Sequence, residues 1–160
     1  MFVRTAGERD LETIRALLAE TWHATYDAIY GVEGVTAISE HWHSVTWLKQ
    51  LLRQPRSEFI VADTGAELAG VAHAVMKEDE LVEVTELDVR PSMQGRGVGG
   101  LLLAELEDSF PECRLMRLEV EEKNQRARDF YRANGFVEFG RRPATQWVDA
   151  MIVSMEKRLG

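Results

Sequence analysis

Gln94-Gly95-Arg96-Gly97-Val98-Gly99-Gly100 sets four glycines within six residues, directly ahead of the apolar run Leu101-Leu102-Leu103. Glycine costs helix stability unless the backbone must turn sharply or approach something closely. Its density at the start of a helical pattern therefore needs a reason. A helix N-terminus offers unpaired N–H groups and the positive end of the helix dipole, and glycines let a ligand come near them. The stretch reads as a cradle for a pyrophosphate.

Two familiar phosphate loops can be set aside. Residues 95–100 formally satisfy G-x-G-x-x-G, but a dinucleotide fold runs its strand almost directly into the first glycine and continues through a full set of βαβ units. Here Pro91-Ser92-Met93-Gln94 intervene, and too little chain remains for those units. A P-loop needs Lys-Ser or Lys-Thr after its last glycine, and Gly100 is followed by Leu101.

Working outward, Leu81 to Val89 reads as a strand stopped by Pro91, and Val98, Leu101, Leu102 and Leu106 mark a helix ended by Phe110-Pro111. Upstream, Glu58 to Ala62 and Leu68 to Val75 form a hairpin about Asp63-Thr64-Gly65. Phe2 to Thr5 is a first strand. Asp10 is expected to cap a helix carrying Leu11, Ile14, Leu18 and Trp22 that fades near Tyr30-Gly31. A loop over Tyr26 to Ala37 then leads to a second helix, from about Ile38 to Leu52. Downstream, Leu115 to Val120 alternates Met116, Leu118 and Val120 with Arg117, Glu119 and Glu121, so one strand face is polar. Asn124 caps a short helix through Phe130-Tyr131, closed by Asn134-Gly135. Strands at Phe136 to Phe139 and Val148 to Met155 finish the chain. The order βααβββαβαββ describes an α/β layer fold, and no repeat or linker divides the single domain, residues 1–160.

Composition bounds the partners. The 160 residues carry a net charge of −8 with 45% hydrophobic residues, which makes the chain globular and gives it a field that repels nucleic acid and anionic membranes. The charge is uneven. Arg90 to Arg142 holds ten Arg+Lys against nine Asp+Glu, and the remainder nine against eighteen. The first segment tolerates a polyanion, and the rest attracts a cation. Without a leader pattern, a long apolar run or a second cysteine beside Cys113, the expectation is a soluble cytoplasmic protein.

At its glycine loop the sequence resembles the GNAT superfamily of acetyl-CoA-dependent N-acetyltransferases. The family pattern Q/R-x-x-G-x-G/A is met by Gln94, Gly97 and Gly99, after Leu87-Asp88-Val89-Arg90-Pro91. A second match runs through Leu118-Glu119-Val120, Asn124, Ala127, Phe130, Tyr131, Gly135 and Phe136. Two spaced motifs in the right order, with an agreeing element order, make the resemblance specific. It implies a GNAT-like mixed, mostly antiparallel sheet of about seven strands flanked by four helices.

The resemblance also implies roles. Gln94, Gly95, Arg96, Gly97, Val98, Gly99 and Gly100 would hold the pyrophosphate of acetyl-CoA, which is a co-substrate. The main chain at Leu87 would pair with the pantetheine amides. Val89 N–H would donate to the thioester carbonyl, and Asn124 would contact the cofactor. Tyr131 would meet the cofactor and protonate the departing thiolate, while Phe130, about 100° away on the helix, is the natural core residue. An alkylammonium of pKa ~10 must lose a proton before it attacks. Glu83 matches the base of histone-type members and shares strand parity with Val89 if no bulge intervenes. Glu119 matches the base of the ribosomal-protein N-terminal branch, and the alternative stays open. By parity Glu86 and Asp88 point the other way, unless a bulge reverses them.

Other residues carry less. His41 and His43 sit on different helix faces and His73 has no neighbouring partner, so the four histidines read as surface or pocket-lining groups and no metal is expected. Cys113 has no adjacent base, which favours direct transfer in a ternary complex. Arg96, Lys123, Arg126 and Arg128 could flank phosphates. Among such enzymes the acceptor is recognised by the first two helices and by the last hairpin, here Trp22 to Ala37 and Arg141 to Trp147, with Tyr26, Tyr30, Trp42 and Trp147 as candidate walls. The expected function is transfer of acetyl from acetyl-CoA to a primary amine, a cationic small molecule or a peptide. The alternative is a non-catalytic acyl-CoA sensor. Homodimers are frequent among proteins of this kind.

Overall fold

The computed structural model describes residues 1–145 and 149–160. Seven strands, β1 (Phe2–Thr5), β2 (Ser57–Asp63), β3 (Leu68–Glu78), β4 (Leu81–Val89), β5 (Leu115–Glu121), β6 (Val137–Pro143) and β7 (Met151–Arg158), form one sheet in the order β1-β2-β3-β4-β5-β7-β6. Every pairing is antiparallel except β4 with β5. The helices are α1 (Leu11–Tyr30), α2 (Val32–Trp42), α3 (Val45–Arg53), α4 (Val98–Ser109) and α5 (Gln125–Ala133).

Alternation along β2 shows how one sheet serves two cores. Phe59 and Val61 pack with Leu11, Ile14, Leu17, Leu18, Leu48 and Leu51 of α1 and α3. Ile60 and Ala62, on the other face, pack with Leu102 and Leu106 of α4. Both faces of a central strand are buried, which is why its sequence is continuously apolar rather than alternating. β5 behaves as its pattern predicts: Met116, Leu118 and Val120 are buried, while Arg117 and Glu119 are not. Glu121 departs from it and is buried.

The helical half differs from its sequence reading. The expected loop over Tyr26 to Ala37 is helical, because α1 continues to Tyr30 and only Gly31, at φ +82°, separates it from α2. The expected second helix is two, divided at His43 and Ser44, where the Ser44 hydroxyl accepts the Trp47 N–H at 3.1 Å and starts α3. Among the described residues five α-helices therefore stand where four are expected. Asp10 does not cap α1: its carboxylate accepts the Gly7 N–H and a two-point contact from Arg4 at 2.8 and 2.9 Å. The last pair of strands is also shifted, with β6 running from Val137 to Pro143 and β7 starting at Met151. Val148 and Trp147 lie outside the described residues.

Leu102 is fully buried where α4 meets the sheet. Leu102→Ala should cost about 2–5 kcal/mol, seen in urea unfolding as a lower midpoint with an unchanged slope.

Candidate functional site

The register between β3 and β4 fixes which carboxylates reach the site. His73 lies opposite Glu86, but Ala74 lies opposite Val84, so Thr85 is an extra residue in β4. The bulge is tied down by the buried His73, whose Nδ1 meets Thr85 Oγ1 at 2.5 Å. One inserted residue reverses side-chain parity. Val82 and Val84, before the bulge, therefore share the α4 face with Leu87 and Val89 after it. Glu86 and Asp88 emerge on the opposite face, in register with His73 and Val71. Glu83 is thus on the face opposite Val89, which corrects the parity expected of an unbroken strand.

Beyond the bulge the sheet opens. Parallel pairing of β4 with β5 runs from Leu81 and Leu115 to Val84 and Leu118 and stops there. β4 continues to Val89 on β3 alone, and β5 to Glu121 on β7 alone. Two cavities meet at this opening, of about 770 and 330 Å³, with Thr25, Leu87, Asp88, Asn124, Ala127 and Tyr131 common to both.

The larger cavity is walled by the glycine loop. Gly97 caps α4 in the left-handed region at φ +83°, and the first intrahelical bond of α4 is Leu101 N–H to Gly97 carbonyl at 3.0 Å. The N–H groups of Val98, Gly99 and Gly100 consequently have no acceptor within the helix. A Cβ on Gly99 would stand 3.0 Å from the Phe130 ring, so glycine is what leaves room between loop and α5. Gln94, Gly95, Gly97, Val98, Gly99 and Gly100 all line the cavity. Arg96 does not and is exposed. The Gln94 amide donates to the Val89 carbonyl at 3.1 Å, securing the loop to the end of β4. Lys123 and Arg126 line the opposite wall, whereas Arg128 is held by Glu138 and the Glu122 carbonyl.

The smaller cavity is aromatic and anionic. Trp22, Tyr26, Trp42 and Trp47 form its walls, with Glu86, Asp88, Glu119 and Glu121 among the lining groups. Burial raises both Glu86 and Asp88: Glu86 is pushed up to about 7 although its interaction with Asp88 pulls the other way, and Asp88 lies well above the usual range, the neighbouring Glu86 adding to its shift. The pair retains a proton near neutrality. His43 is 1% exposed and its Nε2 stands 3.5 Å from Glu86. Its ring is wedged between Trp22 and Trp47, and burial lowers its pKa, so it does not supply a full positive charge to the pair. Glu119 is engaged by Arg142 through both oxygens, at 2.8 and 3.0 Å. Glu121 accepts the Tyr30 hydroxyl and the Lys123 N–H.

α5 supplies the junction. Asn124 caps it by accepting the Ala127 N–H at 3.2 Å, and its amide donates to Tyr26 Oη at 3.3 Å, so it joins α5 to α1. Tyr131 is 7% exposed, and Phe130 is only half-buried, which inverts the expected division between them. Burial pushes the Tyr131 phenol well up, with Asp88 and Glu86 adding to the shift, and it stays protonated.

The sequence matches the acetyltransferase (GNAT) family over residues 12–136. The chain belongs to the GNAT acetyltransferases. An uncharacterised N-acetyltransferase of Mycobacterium tuberculosis is 25% identical over 129 residues, 79% of this chain and 83% of its own. The N-alpha-acetyltransferase RimI of the same organism is 35% identical over 94 residues, covering 57% and 59%. The PaiA N-acetyltransferase of Thermoplasma acidophilum, solved with coenzyme A, superposes at TM-score 0.88 over 98% of both chains with 23% identity. The ribosomal-protein-alanine N-acetyltransferase of Brucella melitensis does so at 0.76, over 99% of this chain and all of its own, also at 23%. The chain is an acyltransferase of this family, with the fold the resemblance implied.

Within this GNAT domain, the sequence-expected residues divide cleanly. Leu87, Val89, Asn124, Tyr131 and the loop other than Arg96 converge on the larger cavity, and Glu119 reaches the smaller one. Glu83 lines neither cavity and lies beside Arg117 in the register of β4 with β5. Tyr26 and Trp42 are walls as expected, and Tyr30 acts through Glu121. The sequence does not bring Trp22, His43, Trp47 and Arg142 together as a group, because it carries no register between α1, α2 and the last hairpin. Of the histidines, His43 lines a cavity, while His73 is a core residue of the bulge. No described helix is long and apolar enough to cross a membrane.

The raised pKa of Glu86 has a consequence for stability. Its folded value of about 7 exceeds an unfolded value near ~4.3, so the folded state binds more protons between the two, and stability falls as pH rises through that window. Glu86→Gln removes the cost of ionising this group. Thermal unfolding should show the variant a few degrees more stable than the parent at pH 8 and nearly equal to it at pH 5, at roughly 2–4 °C per kcal/mol for a chain this size.

Proposed function

We propose that the protein transfers the acetyl group of acetyl-CoA to a cationic primary amine by direct attack in a ternary complex. The observation that carries this reading is the meeting of two chemically different cavities at the β4–β5 opening. One is a glycine-lined cradle at a helix N-terminus, and the other an aromatic box containing a carboxyl pair. The named relatives support it: one of similar fold was solved with coenzyme A, and another is an N-alpha-acetyltransferase, acting on an amine.

Acetyl-CoA supplies an activated acetyl thioester. The N–H groups of Val98, Gly99 and Gly100 suit its pyrophosphate, aided by a helix dipole worth about half a positive charge. Lys123 and Arg126 face the same cavity, and the free β4 edge from Leu87 to Val89 is suited to the amide arm. Val89 N–H is assigned to the thioester carbonyl. Asn124 holds the junction of the two cavities. On the acceptor side, an ammonium meets Glu86 and Asp88, aromatic faces attract its charge, and the carboxyl pair accepts the proton the amine must lose. Tyr131, still protonated and common to both cavities, is placed to donate to the leaving sulfur. Glu119 is a poorer base than the sequence alone indicated, since both its oxygens are occupied by Arg142.

Thiol release over a panel of primary amines tests the activity. kcat/KM should rise with pH through a value near 7 as the Glu86–Asp88 pair gives up its proton. Glu86→Gln and Asp88→Asn should each lower it by about 10²-fold or more, and Tyr131→Phe should lower kcat with little change in coenzyme A affinity. An acidic limb lost instead in Glu83→Gln or Glu119→Gln would transfer the base to that residue. Tight acetyl-CoA binding without turnover of any amine would favour a sensor.

A further inference from the structure

The four carboxylates of the smaller cavity are not equally available. Glu121 is committed to the Tyr30 hydroxyl and the Lys123 N–H. Glu119 is held by the Arg142 guanidinium in a two-point contact, Nε to Oε2 at 2.8 Å and Nη2 to Oε1 at 3.0 Å. Glu86 and Asp88 have each other and the 3.5 Å contact to His43, and among the described residues no Lys or Arg side chain pairs with them. Arg142 is the one Lys or Arg among the described lining residues. It reaches the cavity from β6, opposite Ile152 of β7, which lines the same space. A guanidinium occupying both oxygens of a carboxylate takes the position an incoming ammonium would need.

Resting on the amine-acceptor reading above, we infer that Arg142 sets the charge of the acceptor: by occupying Glu119 it leaves one anionic site, so the enzyme selects amines with a single positive charge and an uncharged tail. The ammonium goes to Glu86 and Asp88, and the tail lies along Trp22, Trp42 and Trp47. A second ammonium finds Glu119 already neutralised and meets the Arg142 cation, so diamines are discriminated against by repulsion as well as by lack of a partner. Arg142 is in this sense a specificity-determining residue. Both members of the pair are about half exposed, so removing either leaves the buried packing intact.

The test compares n-alkylamines with α,ω-diaminoalkanes of equal length, three to six carbons, at low ionic strength. Binding is followed by tryptophan fluorescence and turnover by thiol release. The parent should prefer the monoamine. Arg142→Gln should shift the diamine-to-monoamine ratio at least about tenfold toward the diamine, both in affinity and in kcat/KM. Arg142→Lys should keep the parent ratio, and Arg142→Gln combined with Glu119→Gln should restore it. A ratio unchanged by Arg142→Gln, or a gain that survives loss of Glu119, overturns the inference while amine acetylation stands. Amines that bind with the predicted shift but are never acetylated would instead overturn the proposed reaction. If no amine binds either form, both fail.

Discussion

The bulge at Thr85 is the constraint from which the rest of the site follows. A single additional residue in β4, bonded through its hydroxyl to the buried His73, lets Val82 and Val84 share a core with Leu87 and Val89 while Glu86 and Asp88 turn to the opposite face. Without it, the strand would carry the two carboxyl groups into the apolar core beneath α4, where an unpaired charge costs several kcal/mol. The same irregularity coincides with the end of β4–β5 pairing, so one local device both aims the acids and opens the sheet.

The opening divides the electrostatics. On one side stands the start of α4, with three N–H groups lacking helical acceptors and two cations across the cavity. On the other stand two coupled carboxyls that burial keeps partly protonated. A net charge of −8 would by itself oppose a polyanionic ligand, yet the near-neutral stretch from Arg90 to Arg142 forms the first side through backbone donors rather than a basic surface. Tyr131 and Asn124 stand between the two. Burial thereby moves the titration of the carboxyl pair and of the Tyr131 phenol away from solvent behaviour, which suits the proposed amine acylation at neutral pH.

The glycine-lined side is the more legible in the sequence because its chemistry is local. Glycines 95, 97 and 99 lie together at one helix start and the Asn124 cap at another, so both read from helix-end physics, whereas the role of Tyr131 comes from the resemblance. The aromatic, anionic side depends on long-range register. Parity places Glu83 with Val89 because a bulge is a tertiary event: His73, which secures it, lies twelve residues before Thr85 with nothing in either segment to announce the contact. From sequence the α1–α2 region reads as a loop because Gly31 looks like a terminus, although it is only a single-residue break between helices. Arg142 lies within the stretch from Arg141 to Trp147 that the resemblance assigns to acceptor recognition, but only the folded hairpin brings it to Glu119.

The carboxyl pair can be tested directly, independent of any substrate. In protein carrying ¹³C-labelled aspartate and glutamate, the side-chain carboxyl resonances of Glu86 and Asp88, assigned through Glu86→Gln and Asp88→Asn, can be followed from pH 4 to pH 9. Both should titrate above the ordinary carboxylate range and in a coupled manner, one proton being retained by the pair near neutrality. Independent titration of the two groups near ~4, as for solvated carboxylates, would contradict it, because Glu86 and Asp88 would then not share a buried site.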